Sequence, residues 1–366
     1  MVSVIGEGTF GCVTKPSLKC TIPQKYKKRV SKIMTFSDAQ MEMKDMQFLA
    51  DIPNIQKYMI RIPTMCKPIL NKELKTAVSS CKNKKINTTY SKDKKQLRLL
   101  LLDDGGVDLD VFYSEIIQTL SKKDCCVFLT TILHLFKGVE FFRVNGIVHF
   151  DIKMQNIVYD VKSGKIRFID FGMVVKKKEY LTQSLINANE RAQSWSYYPP
   201  ENSCAQKYIF DHGEKCKVYR SRTSFETFLE KTINTFDSYC LTYCLSKLFL
   251  KIEEKTGNMF SPEFFHAVQP LLRQFCHPDV LRRNDDLDFL STQYKKLLVD
   301  YGMYKVQKPN PSSDIIDLAD ELSILKKKPG RCVSGKIRNK KTGRCVTQKN
   351  KKLISTNWLW MFRYIS

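Results

Sequence analysis

The sequence predicts an α+β fold, in which a small sheet-rich region with one helix precedes a larger helical region and a short basic C-terminal module. Three observations predict it. Short apolar and β-branched runs between turn residues dominate about the first 100 residues. Helical periodicity dominates from Asp104 onward. After about residue 310 the periodicity weakens and the chain becomes strongly basic.

The chain has 366 residues, 43% of them hydrophobic, which permits two or three domains with buried cores and argues against wholesale disorder. The pattern places the boundaries of five segments. They are the sheet-rich region 1–103, the helical region 104–305, a linker 306–328, a two-cysteine module 329–347 and a basic, aromatic tail 348–366.

The N-terminal region is expected to contain strands within 1–15 and at 30–34, 62–70 and 97–102. A helix over 37–50 follows from its apolar spacing, with Ser37 or Asp38 as the cap. Residues 71–96 are polar and rich in lysine, and are expected to form a long exposed loop.

In the helical region, the pattern predicts helices over 127–142, 224–252, 261–274 and 287–298. Asn145-Gly146 supplies a stop for the first of them. Short strands and loops are expected over 148–160 and 165–171. Asp237 is expected to open an apolar helix.

The net charge is +24, and residues 326–366 contain 13 Lys and Arg but no Asp or Glu. Such a basic segment suits an acidic protein, nucleic acid or an anionic surface, and charge alone does not choose among them. The 13 cysteines are scattered, unlike those of a small secreted disulfide scaffold, which favours a reducing, intracellular environment. No apolar run reaches 18 residues, so no transmembrane segment is expected.

The first motif is glycine-rich and fits G-x-G-x-x-G-x-V. Glycines let backbone N–H groups approach phosphate oxygens, and a following valine can cover an adenine face. A flexible hairpin or a dinucleotide-binding loop would also carry three glycines, but the latter continues into a helix and this segment continues as a strand. The candidate nucleotide-binding residues are Ile5, Gly6, Gly8, Gly11 and Val13.

The second motif, over 149–156, fits H-x-D-x-K-x-x-N, and Asp170-Phe171-Gly172 follows it. Asn156 and Asp170 supply the hard oxygen ligands that a divalent metal on ATP phosphates requires. Asp151 would orient the attacking hydroxyl and accept its proton, and Lys153 would stabilise charge on the transferring phosphoryl group.

Further residues are expected to support this site. Lys32 would hold the α- and β-phosphates and pair with Glu42 on the predicted helix. Glu201 would pair with Arg282 or Arg283, and Asp237 would accept hydrogen bonds from the backbone near His149. The remaining expectations are a hydroxyl contact of Ser194 with Asp151 and a hinge at 100–104 that offers backbone groups to adenine.

Together these motifs make residues 1–300 resemble the eukaryotic-type protein kinase superfamily. The resemblance implies a two-lobed protein-kinase fold with ATP between the lobes, Mg²⁺ or Mn²⁺ as the metal, and protein substrates. Lys153 resembles the Ser/Thr class in particular. Phe150 departs from the family, which has an arginine there that binds a phosphorylated activation loop, so the departure argues against phosphate-dependent activation.

The C-terminal module, over 330–346, resembles the short two-cysteine adaptor of large nucleocytoplasmic DNA viruses, and the whole chain is similar to iridovirus-like Ser/Thr kinases. The resemblance implies a viral protein in the host-cell cytoplasm or the virion. Cys332 and Cys345 are too few ligands for a zinc site, and a disulfide between them would suit an oxidised virion. The alternatives are a pseudokinase-like scaffold and a virion or nucleic-acid-binding protein that acts through its basic tail.

Overall fold

A computed structural model describes residues 2–8, 10–186, 195–305, 336–338 and 345–347. The chain divides into two compact units, Met1–Gln307 and Lys308–Ser366. The first unit contains a sheet-rich N-terminal lobe and a helical C-terminal lobe. Its end lies close to the end of the helical region expected from the sequence.

The N-terminal lobe is built on an antiparallel sheet of order β1-β2-β3-β5-β4. Its strands are β1 (Ser3–Gly8), β2 (Gly11–Lys15), β3 (Arg29–Thr35), β4 (Thr64–Cys66) and β5 (Leu97–Asp103). Side chains alternate between the two faces of each strand. Ile33 of β3 therefore packs in one cluster with Leu99, while Met34 packs in another with Leu100 and with Ala39 of helix α1 (Phe36–Gln47).

The segment 71–96, expected to be a loop, instead forms helices α2 (Lys72–Ser80) and α3 (Lys84–Lys92). Asn71 and Asn83 cap them, by accepting hydrogen bonds from Leu74 N and Ile86 N. The loop prediction was wrong because each helix has only a narrow apolar face among many lysines. Those faces pack on the sheet, opposite α1, through Leu74, Ala77, Val78 and Ile86.

Two smaller N-terminal predictions also need correction. Strand β4 covers only three residues of the expected 62–70. Helix α1 is capped by Thr35, whose hydroxyl accepts from Asp38 N at 3.3 Å, rather than by Ser37 or Asp38. The hinge expected at 100–104 overlaps the end of β5, where Asp104 N donates to Lys28 O at 2.9 Å, and its contact with adenine stays a prediction.

The C-terminal lobe consists mainly of helices. They are α4 (Leu109–Val111), α5 (Lys122–Val144), α6 (Lys177–Ile186), α7 (Lys207–His212), α8 (Lys217–Arg220), α9 (Phe225–Thr256), α10 (Pro262–Phe275) and α11 (Leu287–Asp300). By length and composition α5 could cross a membrane, but 72% of its apolar window is buried in this lobe, as in a core helix. Ser224 caps α9, so Asp237 lies inside a continuous helix and does not open one.

The described part of this lobe also contains five short strands, which flank its loops. Strands β6 (Val107–Asp108), β8 (Ile157–Asp160) and β9 (Lys165–Phe168) form a sheet of order β6-β8-β9, and β7 (Ile147–Val148) pairs with β10 (Val175–Lys176). The segment 149–156 therefore begins directly after β7 and ends where β8 begins. Strand β9 ends two residues before Asp170, which brings the second motif and Asp170 to the same part of the lobe.

In the part of the chain that the structure describes, three disulfides join Cys12 to Cys81, Cys20 to Cys66, and Cys204 to Cys216. The scattered spacing of the cysteines did not predict these pairs. The first two are in the N-terminal lobe and link residues that are 69 and 46 positions apart. Cys125, Cys126, Cys240 and Cys244 are buried free thiols.

In the second unit, β11 (Lys336–Arg338) pairs antiparallel with β12 (Cys345–Thr347). These two strands belong to the predicted two-cysteine module. Cys332 and the aromatic tail lie outside the described residues.

Candidate active site

The loop between β7 and β8 places two polar side chains, Asn156 and Lys153, against the carboxylate of Asp151. Asn156 Nδ2 donates to Asp151 Oδ2 at 2.6 Å, and Lys153 Nζ lies 3.0 and 2.9 Å from Oδ1 and Oδ2. Asp151 and Asn156 are buried, whereas the Lys153 side chain is 31% exposed. The loop thus presents a carboxylate with an adjacent ammonium at the edge of solvent, an arrangement suited to a base beside developing negative charge.

Asp237 of α9 accepts two hydrogen bonds from the backbone of this loop. Its Oδ2 accepts from His149 N at 2.7 Å, and its Oδ1 accepts from Phe150 N at 3.2 Å. Burial raises the pKa of Asp237 to about 7, against the opposing effect of those two hydrogen bonds. Phe150 has φ +63°, a left-handed conformation that is unfavourable for a bulky residue, and the two bonds hold the backbone in it.

His149 connects the loop to the segment that carries Asp170. Its Nδ1 accepts from Asp151 N at 3.3 Å, so its Nε2 carries the proton and donates to Ile169 O at 3.1 Å. Burial lowers the pKa of His149, which keeps the ring neutral. Phe171 packs against His149 with ring centroids 4.4 Å apart.

Two candidate metal ligands, Asn156 and Asp170, lie in segments that are bonded to each other. Ile169 N donates to Asn156 O at 2.9 Å, which ties the end of the loop to the residue before Asp170. Asp170 has φ +60°, a conformation that Asp tolerates better than most residues. An amide oxygen and a carboxylate are oxygen donors of the type that Mg²⁺ and Mn²⁺ prefer, so this pair fits a divalent cation shared with phosphates.

Lys32 and Glu42 form the expected ion pair, with Lys32 Nζ 2.7 Å from Glu42 Oε2 and both side chains largely buried. Burial lowers the pKa of Lys32, but the carboxylates of Glu42 and Asp170 outweigh it, so the pKa is raised and the ammonium stays charged. The effect of Asp170 also shows that the sheet and the helical lobe contribute to one electrostatic site.

The glycine-rich segment is a strand, a turn and a strand, as expected, and not a strand followed by a helix. Gly6 pairs with Val13, and Val13 pairs with Lys32, so Val13 and Lys32 are direct neighbours across β2 and β3. Gly8 has open space around it, whereas a Cβ on Gly11 would lie 2.2 Å from Ile33 O. Gly11 is thus required for strand packing, while Gly8 leaves the loop free to approach a ligand. Ile5, at the irregular step of β1, is 49% exposed.

Residues 1–212, more than half of the chain, match the family model of the protein kinase domain. The chain belongs to the protein kinase family. The match and the α+β architecture confirm the two-lobed kinase fold, and with it phosphotransfer from ATP, use of a divalent metal and protein substrates. No curated protein sequence matches the chain.

A buried ion pair anchors Glu201, at the end of the segment from Asp170 to Glu201 that is called the activation segment in kinases. Arg283 Nη1 and Nη2 donate to Glu201 Oε1 and Oε2 at 2.6 and 2.9 Å, and neither side chain is exposed. Arg283, and not Arg282, is therefore the partner of Glu201. The paired geometry satisfies both carboxylate oxygens, as a buried charge requires.

Sequence reasoning missed Tyr197 at the catalytic aspartate. The Tyr197 hydroxyl donates to Asp151 Oδ1, and Lys153 Nζ lies 5.7 Å from the centre of the Tyr197 ring. Ser194, the residue expected to contact Asp151, lies outside the described residues. The local sequence carries no signal for this contact, because Tyr197 is 46 residues from Asp151 and its hydroxyl meets the carboxylate only in the folded chain.

Phe150, where the family has arginine, fills an apolar pocket of the kinase. Its ring centroid is 4.4 Å from that of Phe236 and 4.9 Å from that of Tyr180. Tyr198 Oη donates to Phe150 O at 2.6 Å. Aromatic packing therefore joins the catalytic loop, residues 149–156, to α6 and α9. In the family, the arginine at this position would bind a phosphate.

Proposed function

We propose that this protein kinase transfers the γ-phosphoryl group of ATP to Ser and Thr hydroxyls of proteins, with Mg²⁺ or Mn²⁺ bound by Asn156 and Asp170. The carrying observation is the Asp151 carboxylate, which lies within hydrogen-bonding distance of both Lys153 and Asn156. Lys153 supports the Ser/Thr assignment through the family resemblance.

Each residue would have a distinct task in the reaction. Asp151 would accept the proton of the substrate hydroxyl as the hydroxyl oxygen bonds to the γ-phosphorus and the bond from that phosphorus to the β-phosphate oxygen breaks, which releases ADP. Lys153 would stabilise the charge on the phosphoryl oxygens. Lys32, oriented by Glu42, would hold the α- and β-phosphates. When bound, the cation neutralises phosphate charge and orients the phosphates.

The test is transfer of label from γ-labelled ATP by the full chain, with Mg²⁺ or Mn²⁺, to acidic and basic protein substrates, followed by phosphoamino-acid analysis. We expect phosphoserine and phosphothreonine. Phosphotyrosine as the sole product would contradict the Ser/Thr assignment. Binding of ATP without transfer to any substrate would favour the scaffold alternative.

The Tyr197 hydroxyl occupies a position on Asp151 Oδ1 that a substrate hydroxyl needs. We therefore expect Tyr197→Phe to lower the KM for the protein substrate about fivefold. A hydrogen bond to a charged group contributes about 1.5–3 kcal/mol, and we take a value below that range because the contact between Tyr197 and Asp151 is only partly buried. The kcat should change by less than about twofold. Steady-state kinetics with the substrate varied at saturating ATP would measure both.

Tyr208→Phe is the matched control, since it removes an exposed hydroxyl far along the chain from the catalytic loop. A fall in kcat at unchanged KM for Tyr197→Phe would show instead that the hydroxyl positions Asp151.

We further propose that the protein is viral, acts in the host-cell cytoplasm or the virion, and uses its basic C-terminal segment to bind an acidic partner or surface. The 13 basic residues without an acidic one support the last point. Binding of the full chain to duplex DNA that weakens steeply between 50 and 200 mM salt would favour nucleic acid, whereas salt-independent binding would contradict it.

A further inference from the structure

The connection between α2 and α3 contacts the glycine-rich loop through three successive residues. Cys81 is bonded to Cys12, Lys82 N donates to Glu7 Oε1 at 3.0 Å, and Asn83 Nδ2 donates to Gly8 O at 2.9 Å. One contact is on β2, and two are on the last residues of β1. The inserted helices thus hold both strands of the loop.

Strand alternation places these contacts on the side of the loop away from the ATP site. Cys12 pairs with Ile33 and Val13 pairs with Lys32, so neighbouring residues of β2 face opposite sides of the sheet. Cys12 and Cys81 are almost fully buried in the cluster that contains Ile33 and Leu74. The disulfide therefore fixes β2 from behind, and leaves Val13 beside Lys32.

The helices that hold the loop are themselves anchored to the lobe. Lys85 Nζ lies 2.7 Å from Asp38 Oδ1, which connects α3 to the first turn of α1. Asn87 Nδ2 donates to Cys81 O at 2.7 Å, and Asn83 caps α3. The connection is therefore part of a rigid unit, and residues joined to it lose conformational freedom before ATP binds.

We infer that α2, α3 and their connection form a positioning element of the ATP site, which holds the glycine-rich loop over the phosphates through Cys81 and Asn83. The inference rests on the proposed function, because it assigns the loop to ATP. It makes ATP affinity dependent on the Cys12–Cys81 disulfide. The element is specified by the residues 71–96 that were expected to be an exposed loop.

A dithiol reductant would break the covalent link between the element and the loop. Its two thiols supply two electrons and two protons, the bond between Cys12 Sγ and Cys81 Sγ breaks, two cysteine thiols form, and the dithiol closes to a cyclic disulfide. The two hydrogen bonds of Glu7 and Gly8 remain. Without the covalent link, the glycine-rich loop would have more conformational freedom, part of which it would lose each time ATP binds.

The experiment measures the Kd of MgATP by calorimetry, and the KM for ATP and kcat by phosphoryl transfer, for the full chain and for Cys81→Ser. We expect both Kd and KM to rise about tenfold, because the free-energy cost of ordering one backbone residue corresponds to about a tenfold change in affinity. The kcat should change by less than about twofold. A dithiol should produce the same rise in the wild type and no further rise in Cys81→Ser.

Cys66→Ser is the matched control, because it breaks another disulfide of the same lobe, between Cys20 and Cys66, neither of which belongs to the glycine-rich motif. It should leave the Kd of MgATP within about twofold of wild type. Asn83→Ser is a second variant that retains a capping hydroxyl but loses the donor to Gly8 O, and it should raise the Kd about threefold.

An unchanged Kd for Cys81→Ser, or a dithiol effect that persists in that variant, would overturn the inference. If Cys81→Ser fails to fold, as judged by circular dichroism, an unchanged Kd for Asn83→Ser would overturn it. The calorimetric arm does not depend on phosphoryl transfer. A wild-type chain that binds ATP but does not phosphorylate therefore contradicts only the proposed function, whereas one that does not bind ATP overturns both.

Discussion

Asp151→Asn is expected to lower kcat about 1,000-fold and to leave the Kd of MgATP within about twofold of wild type. The amide has the shape of the carboxylate, so one oxygen still accepts a hydrogen bond, but it cannot take the proton of a substrate hydroxyl. Lys32 and Asp170, the residues assigned to phosphates and metal, are unchanged. Single-turnover transfer and calorimetric binding of MgATP would measure the two quantities separately.

The control for this variant is Asp211→Asn, the same chemical change on the surface of α7, where Asp211 pairs with Lys207. It should leave both quantities near wild type. An Asp151→Asn chain that loses ATP affinity as strongly as it loses transfer would show that Asp151 has a structural role. One that transfers at the wild-type rate would remove Asp151 from the mechanism.

Asp170→Ala should reduce transfer by at least about 1,000-fold, because a metal ion contributes several kcal/mol of charge stabilisation in the transition state and each tenfold in rate is about 1.4 kcal/mol. The substitution also removes a carboxylate that raises the pKa of Lys32. We expect the Mn²⁺ or Mg²⁺ concentration for half-maximal activity to rise as well. Rates measured across a metal titration would show both effects.

Because Asp170 has φ +60°, alanine there adds backbone strain, and Asp170→Asn is the companion variant that tolerates this conformation. It should lose most of the activity while keeping the thermal unfolding midpoint of wild type. Asp300→Ala, at the exposed end of α11, controls for loss of a carboxylate elsewhere. Normal turnover by both Asp170 variants would contradict the assignment of the metal site.

The contiguous parts of the site are predictable from local sequence. The residues from His149 to Asn156, and Asp170 with Phe171, belong to short segments whose spacing along the chain decides their relative positions, and the folded loop brings Asp151, Lys153 and Asn156 together as expected. The pairing of Lys32 with Glu42 was also predictable. Strand and helix periodicity each select one face, and those faces meet.

The contacts between distant segments depend on how the folded chain packs. The choice of Arg283 over Arg282 follows from which side chain reaches the buried Glu201. Asp237 acts from inside α9 and not from its start, because the catalytic loop packs against the middle of that helix. Tyr197, 46 residues after Asp151, contacts its carboxylate only in the folded chain.

The largest error, the loop expected over 71–96, has the same origin. Short polar helices such as α2 and α3 are marginal in isolation, and burial of Leu74 and Ile86 against the sheet stabilises them. The Cys12–Cys81 pair depends on that docking and is invisible in the spacing of the cysteines. Local patterns encode which residues share a face, whereas packing between segments far apart in sequence decides which of those faces meet.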